Sequence, residues 1–293
     1  MSLDDSYTKM VAFVIERLDP SDGVGEGRAI GTSFFVMVPS KTDPGNGWLY
    51  AVTARHVVES GRDTWLRVHW SDGHLDELPV KAWTLHPSDD VAVTLMNRIG
   101  VDCGWMQIDD FLDARPQDRR PRLGDRIYFV GLLAIAKAMV DENIPIVRSG
   151  TLGRMYQDGM VLRHGQGDSS WITRHEMHLI DCRSYAGFSG SPCFVQFQPI
   201  DHLAEPLRMD STYRDILQPE TLLLGLISGH MEELAEPRGT GELANDQMIG
   251  TIRFPVNTGV ALVTPVEKIS ECLMDDELVV ERERMDADLV SNH

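Results

Sequence analysis

Three segments follow one another along the chain: Thr53-Ala54-Arg55-His56, Asp90-Val91-Ala92-Val93 and Gly187-Phe188-Ser189-Gly190-Ser191-Pro192. Between them they hold a base, a carboxylate and a hydroxyl, the set that performs acyl transfer. A serine alcohol is a poor nucleophile at neutral pH. It needs a neutral imidazole within reach to take its proton, and a buried carboxylate to hold that imidazole in the right tautomer. Backbone N–H groups must also point at the oxyanion that develops on the attacked carbonyl. Gly187, two residues before Ser189, lets the chain turn tightly enough for that. One such segment carries little weight; three in His, Asp, Ser order form a pattern.

Short strands must position these groups. Apolar or alternating runs at Met10–Ile15, Ile30–Val38, Trp48–Val52, Trp65–Trp70 and Val91–Met96 are separated by Gly, Pro, Asp and Ser clusters. Further runs are Arg126–Leu132, Ile144–Leu152, Trp171–Ile180, Pro192–Phe197, Leu222–Ser228 and Val260–Val263. Many short strands with turn signals between them predict barrels or sandwiches rather than βαβ units. Thr264-Pro265 is placed to cap a helix running through Ile269, Cys272 and Leu273. The organisation expected is a first β-barrel over 1–112, a polar, proline-punctuated linker over 113–122, and a second barrel over 123–274. An acidic segment over 275–293 follows, either a helix extension or a loose tail. Tyr156–Ser170 and Pro199–Glu220 look like insertions at barrel rims.

The chain resembles the chymotrypsin-fold serine peptidases, particularly the bacterial trypsin-like and HtrA-like peptidase domains. The resemblance is carried by Gly31-Thr32-Ser33-Phe34-Phe35-Val36, by Tyr50 to Val58 around the histidine, and by His86 to Val93 around the aspartate. It continues through the serine loop, Gly225 to His230 and Asn257 to Ala261, and so spans roughly residues 10–272. It implies an all-β fold of two six-stranded antiparallel Greek-key barrels, with the active site between them and a C-terminal helix. The triad it implies is His56, Asp90 and Ser189, with the amides of Gly187 and Ser189 as oxyanion hole. Arg183, Ser228, Gly229, His230 and Gly259 then fall at the substrate site, Ser228 and His230 bonding a substrate strand through their backbones. Arg183 would favour an acidic side chain at the cleaved position if it faces inward; the alternative is an exposed loop arginine. Phe188 stands where secreted trypsins carry the aspartate that pairs with a newly released N-terminus, so that route of activation is closed. Its ring is expected to pack in the barrel core, or the loop rests collapsed until an activator orders it.

Composition agrees with this reading. At 293 residues with 42% hydrophobic content the chain can bury a sizeable core. No apolar run approaches the ~20 residues that cross a bilayer, and the N-terminus lacks a basic region followed by an apolar stretch. A net charge of −18 argues against nucleic acid as partner. The four scattered cysteines show no Cys-x-x-Cys spacing, and Val57 stands where secreted relatives place a cysteine. Reduced thiols in a cytoplasmic protein are therefore expected, although Cys182 and Cys193 flank the serine loop and are placed to pair if oxidised. The expected partner is a protein or peptide substrate, with room for a protein regulator, and no membrane.

The plainer alternatives are specific. His56 as an ordinary core histidine and the serine loop as a Gly-rich turn are set aside because the three contexts occur together. Asp89 competes with Asp90, and the family pattern, with the carboxylate directly before Val-Ala-Val, selects Asp90. His175-Glu176-Met177-His178 lacks the His-Glu-x-x-His spacing of a metal site, and Gly23 to Gly27 precedes a strand rather than a nucleotide-binding helix. No cofactor or metal is expected. A serine endopeptidase is the leading reading. A catalytically weak binding module of the same fold and an esterase-like hydrolase are the alternatives.

Overall fold

The computed structural model describes residues 5–17, 27–43, 45–96, 100–114, 120–133, 143–156, 160–164, 171–197, 220–235 and 254–291. Its first half is built on strands whose burial follows their side-chain alternation. In Thr64–His69 (β4) the threonine, leucine and valine point inward while Trp65, Arg67 and His69 are only partly covered, the period-2 pattern of a half-buried strand. Val11–Glu16 (β1) is buried throughout, because it lies between β4 and Arg28–Pro39 (β2). Gly47–Thr53 (β3), Leu75–Pro79 (β5), Thr84–Leu85 (β6) and Ala92–Leu95 (β7) complete a sheet ordered β5-β4-β1-β2-β3-β7-β6. The two-residue Met106–Gln107 (β8) joins it alongside β2, in parallel.

The second half closes on itself. Arg126–Leu132 (β9), Pro145–Arg154 (β10), His178–Asp181 (β13), Pro192–Phe197 (β14), Glu220–Ala235 (β15) and Phe254–Pro265 (β16) form a barrel ordered β10-β13-β16-β15-β14-β9. All its ladders are antiparallel. Met160–His164 (β11) and Trp171–His175 (β12) pair separately as a two-stranded hairpin. The fold is thus all-β, a closed six-stranded barrel beside a second sheet. That first sheet has eight strands and one parallel pairing, where six antiparallel ones were expected. The run Trp171–Ile180 is two strands, broken at Glu176-Met177. Residues 199–219 and residues 157–159 and 165–170 of the two expected insertions, and 115–119 of the expected linker, lie outside the described residues.

Three α-helices bear on the site and its support. Arg55–Val58 (α1) is a single turn after β3. Val266–Leu273 (α2) is the expected C-terminal helix, burying Val266, Ile269, Cys272 and Leu273. Its start differs from expectation. No side chain caps it, and the Thr264 hydroxyl is instead 2.5 Å from Ser228 Oγ. The acidic segment forms Asp276–Ser291 (α3) and packs on the first sheet. The Asp286 carboxylate accepts hydrogen bonds from Ser40 Oγ (2.7 Å), Lys41 N (3.1 Å) and Trp48 Nε1 (3.1 Å). Arg282 donates to the Tyr50 hydroxyl at 2.9 Å.

Candidate active site

His56 sits in α1, directly after the buried strand β3, and Asp90 ends the turn before β7. Because β3 and β7 are paired, with Thr53 opposite Ala92, the two side chains arrive next to each other. Asp90 Oδ2 is 2.8 Å and Oδ1 3.0 Å from His56 Nδ1, and the His56 backbone N–H donates to Oδ1 at 2.9 Å. An ionised carboxylate only accepts, so Nδ1 carries the proton and Nε2 is left as the basic nitrogen. Burial works to lower the His56 pKa, but the Asp90 hydrogen bond and charge, with Glu59 beyond, outweigh it and hold the pKa above 6.5. Burial likewise works to raise the Asp90 pKa. The bonds and charge from His56, with a hydrogen bond from Ser228, bring it below its ordinary value. Ser228 Oγ and Thr264 Oγ1 lie 2.5 Å apart and share a hydrogen bond.

Asp89 faces elsewhere: it accepts from Ser88 Oγ at 2.7 Å and lies 3.8 Å from Lys268 Nζ. The loop that carries both aspartates is clamped from two sides. Arg55 turns away from His56 and donates to the carbonyls of His86 (2.9 Å) and Pro87 (3.2 Å). His86 Nδ1 accepts from the Asp89 amide at 3.0 Å, so its Nε2–H donates to Glu271 of α2, also at 3.0 Å.

Ser189 comes from the other half, two residues before the buried Ser191-Pro192 that opens β14. The preceding turn is set by Gly187, whose φ of +101° and the Phe188 N–H to Tyr185 carbonyl bond (3.1 Å) are those of a type II turn. The amides of Phe188, Gly190 (to Ile227) and Ser191 (to Phe188) are all satisfied by backbone carbonyls. Among the described residues those of Gly187 and Ser189 donate to no protein group, as a pair kept for an incoming oxyanion must. Phe188 is 1% exposed and its ring meets Phe129 edge-on at 5.3 Å, so apolar burial holds the loop. Gly190 is required for a different reason: a Cβ there would collide with the Thr32 carbonyl oxygen.

The two halves meet at Thr32, which the sequence marks only as part of a motif. Its hydroxyl donates to the Gly187 carbonyl at 2.7 Å and accepts from the Leu132 amide at 3.0 Å, while its own amide donates to the Ser189 carbonyl at 2.8 Å. Nothing local singles it out, since Ser33 beside it is also a hydroxyl in the same strand. Among the described residues no hydrogen bond joins Ser189 Oγ to His56; such bonds commonly tighten only when substrate is present.

Of the residues expected at the substrate site, Ser228, Gly229 and His230 lie on β15, which pairs with β14 no further than Leu226 but continues along β16. Beyond Ile227 its other edge has no strand partner among the described residues, and a Cβ on Gly229 would meet nothing within 4 Å. His230 Nε2 is 3.2 Å from Glu232 Oε1. Gly259, with φ +88°, lies against the exposed Arg183. No group of His, Cys, Asp and Glu able to hold a metal occurs among the described residues. His178 is buried under the Tyr156 ring, and the His175 side chain lies outside those described.

No family model and no curated protein matches this chain. Solved structures do. The chain is similar to the protease domain of MamO from Magnetospirillum magneticum, at 12% identity and a TM-score of 0.48 over 92% of this chain and 98% of that one. It is similar to Deg5, at 13% identity and 0.46 over 92% and 95%. It is also similar to a thermostable serine protease, AL20, from an extremophilic microorganism, at 12% and 0.44 over 91% and 96%. Site assignments rest on the hydrogen bonds and turn geometry above.

Proposed function

We propose that this chain is a serine endopeptidase that works through an acyl-enzyme. One observation supports it most: the His56–Asp90 pair leaves Nε2 basic, and the serine loop keeps two amides unspent beside the hydroxyl. In this reading Ser189 Oγ attacks the scissile carbonyl carbon and its proton passes to His56 Nε2. Asp90 stabilises the imidazolium, and the amides of Gly187 and Ser189 receive the oxyanion. The intermediate collapses as His56 returns the proton to the leaving amine. Water then repeats the sequence on the acyl-serine. The substrate is a protein or peptide segment that extends the open edge of β15 as an added strand.

The four cysteines are free thiols, with Cys182, Cys193 and Cys272 buried, and burial pushes the Cys272 thiol up to about 12. That favours a reducing compartment, in keeping with a cytoplasmic location.

The experiment that tests the reading is intact-mass labelling with a fluorophosphonate. One adduct on the native chain, absent from Ser189→Ala and His56→Ala, is expected. The missing Ser189–His56 bond favours a second reading, a binding module of the same fold with little catalysis until a regulator orders it. Folded native protein that takes no adduct would decide for it. Labelling without peptide cleavage would point to an esterase-like hydrolase.

A further inference from the structure

The segment from His86 to Val91 carries Asp90, yet among the described residues the Asp90 main chain makes no hydrogen bond of its own. Its place is set by its neighbours. The Val91 amide donates to the Asp89 carbonyl at 2.9 Å, and the His86 amide donates to the Val91 carbonyl at 2.9 Å. The Asp89 amide has one partner among the described residues, the His86 ring. Its Nδ1 accepts from that amide at 3.0 Å and from the Ser88 amide at 3.3 Å. One ring nitrogen thus gathers the two successive amides directly before Asp90. It can do so only as an acceptor, so the proton must sit on Nε2. The Glu271 carboxylate of α2 fixes that tautomer by taking the Nε2–H at 3.0 Å. At 4% exposure the ring is held by these bonds and by packing rather than by solvent. The other charged groups facing it are Asp89, whose Oδ2 is 3.4 Å from Nδ1, and Lys268, 3.8 Å from that oxygen and 3.2 Å from Glu271. Arg55 donates to the His86 carbonyl at 2.9 Å. Two carboxylate–imidazole pairs therefore stand in series, and the outer pair, Glu271–His86, holds the loop that bears the inner carboxylate.

We infer that His86 is a positioning residue for the proposed reaction: its Nδ1 sets the loop so that Asp90 meets His56, and α2, through Glu271, keeps the ring in the tautomer that can do this. His86 acts through Asp90 and touches none of the reacting atoms. The inference rests on the peptidase reading for what the His56–Asp90 pair does, not for how the pair is held.

Two amide side chains divide the two jobs of the ring. Asn is short enough to put its oxygen where Nδ1 stands, whereas Gln reaches the Nε2 position and leaves both amides without an acceptor. The Cε1–H resonance of His56 is titrated with pH by NMR in the native chain, His86→Asn and His86→Gln. The native midpoint is expected above 6.5, and His86→Asn is expected to match it. In His86→Gln the midpoint is expected to fall by about half a pH unit as Asp90 loosens from the imidazole. His86→Leu also lacks the acceptor; it is expected to behave like His86→Gln and replaces it should that variant not fold. A midpoint unmoved by loss of the acceptor, or moved as far in His86→Asn as in the others, would overturn the inference. Fluorophosphonate labelling is read separately, and is expected to slow by about tenfold in His86→Gln and little in His86→Asn. Native protein that takes no label while the midpoints shift as expected would remove the peptidase reading and leave this one standing.

Discussion

Thr32 Oγ1 donates to the carbonyl oxygen of Gly187 across 2.7 Å, joining a strand of the first sheet to the turn beside Ser189 at the barrel. The same oxygen accepts from Leu132 N, so one buried hydroxyl orients the peptide that follows Gly187 and ties it to β9.

Thr32→Val removes both bonds at nearly constant volume. The buried Leu132 amide is left unpaired, at a cost of about 1–3 kcal/mol, which denaturant titration measures. Fluorophosphonate labelling is expected to slow by about tenfold, less than the roughly hundredfold loss typical when an oxyanion donor itself is removed. Thr32→Ser keeps the hydroxyl and is expected to label at close to the native rate. Equal rates in the valine and native proteins would mean that the turn holds its shape without Thr32.

The proposed reaction needs neutral His56, and the Asp90 hydrogen bond and charge hold the pKa of that imidazole above 6.5. Labelling rate is therefore expected to rise with pH through a midpoint above 6.5. Asp90→Asn removes the charge, so the midpoint is expected to move to lower pH. The plateau is expected to fall by about four orders of magnitude, because the amide favours the wrong tautomer. A midpoint that does not move on substitution would show that Asp90 leaves His56 unperturbed.

Gly190→Ala drives a methyl group into the Thr32 carbonyl oxygen and Thr53 Oγ1, at a φ of +87°. The left-handed backbone alone costs about 1–2 kcal/mol with a side chain present, and the backbone oxygen cannot move aside cheaply. Loss of several kcal/mol in unfolding free energy is expected, of order 3 or more. Unfolding with an unchanged midpoint would mean that the loop rearranges freely.

Asp286→Ala removes the acceptor for Ser40, Lys41 and Trp48, and a loss of about 2–3 kcal/mol is expected from bonds to a charged group. Amide exchange over 276–291 reads it directly. Burial acts to raise the Asp286 pKa, but those three bonds bring it below 3.8. A depressed carboxylate stabilises the fold above its ordinary pKa and loses that contribution as pH falls through the folded value. Protection of this helix, taken relative to the intrinsic exchange rate at each pH, should accordingly fall first at acid pH, and an Asp286→Ala protein should lack that acid dependence.

Legibility in the sequence varies with the distance over which each residue acts. Arg126–Leu132 and Pro192–Phe197 are legible to the residue because apolar runs end at turn formers. β15 and β16 come out far too short from sequence, as Leu222–Ser228 and Val260–Val263. Their outer stretches, such as Gly229-His230-Met231-Glu232, mix polar and apolar residues on a half-open edge. The His56–Asp90 pair is readable once the family pattern, with the carboxylate directly before Val-Ala-Val, selects Asp90 over Asp89. Thr32 is not, since its partners are 155 and 100 residues away and no local pattern marks them. Thr264 misleads for a related reason: a hydroxyl before Pro265 looks like a helix cap, and it serves Ser228 instead. The acidic segment is undecided in sequence because its docking partners, Ser40 and Trp48, belong to the first half of the chain.

That docking has a consequence for the order in which the molecule is made. Arg282 and Tyr50 are 232 residues apart, and at ~5–20 residues per second the ribosome spends tens of seconds between them. Until α3 emerges, Trp48 and Tyr50, on the strand that leads into His56, lack their cover. The sheet that carries His56 therefore gains this cover only after the strands of the barrel have been made.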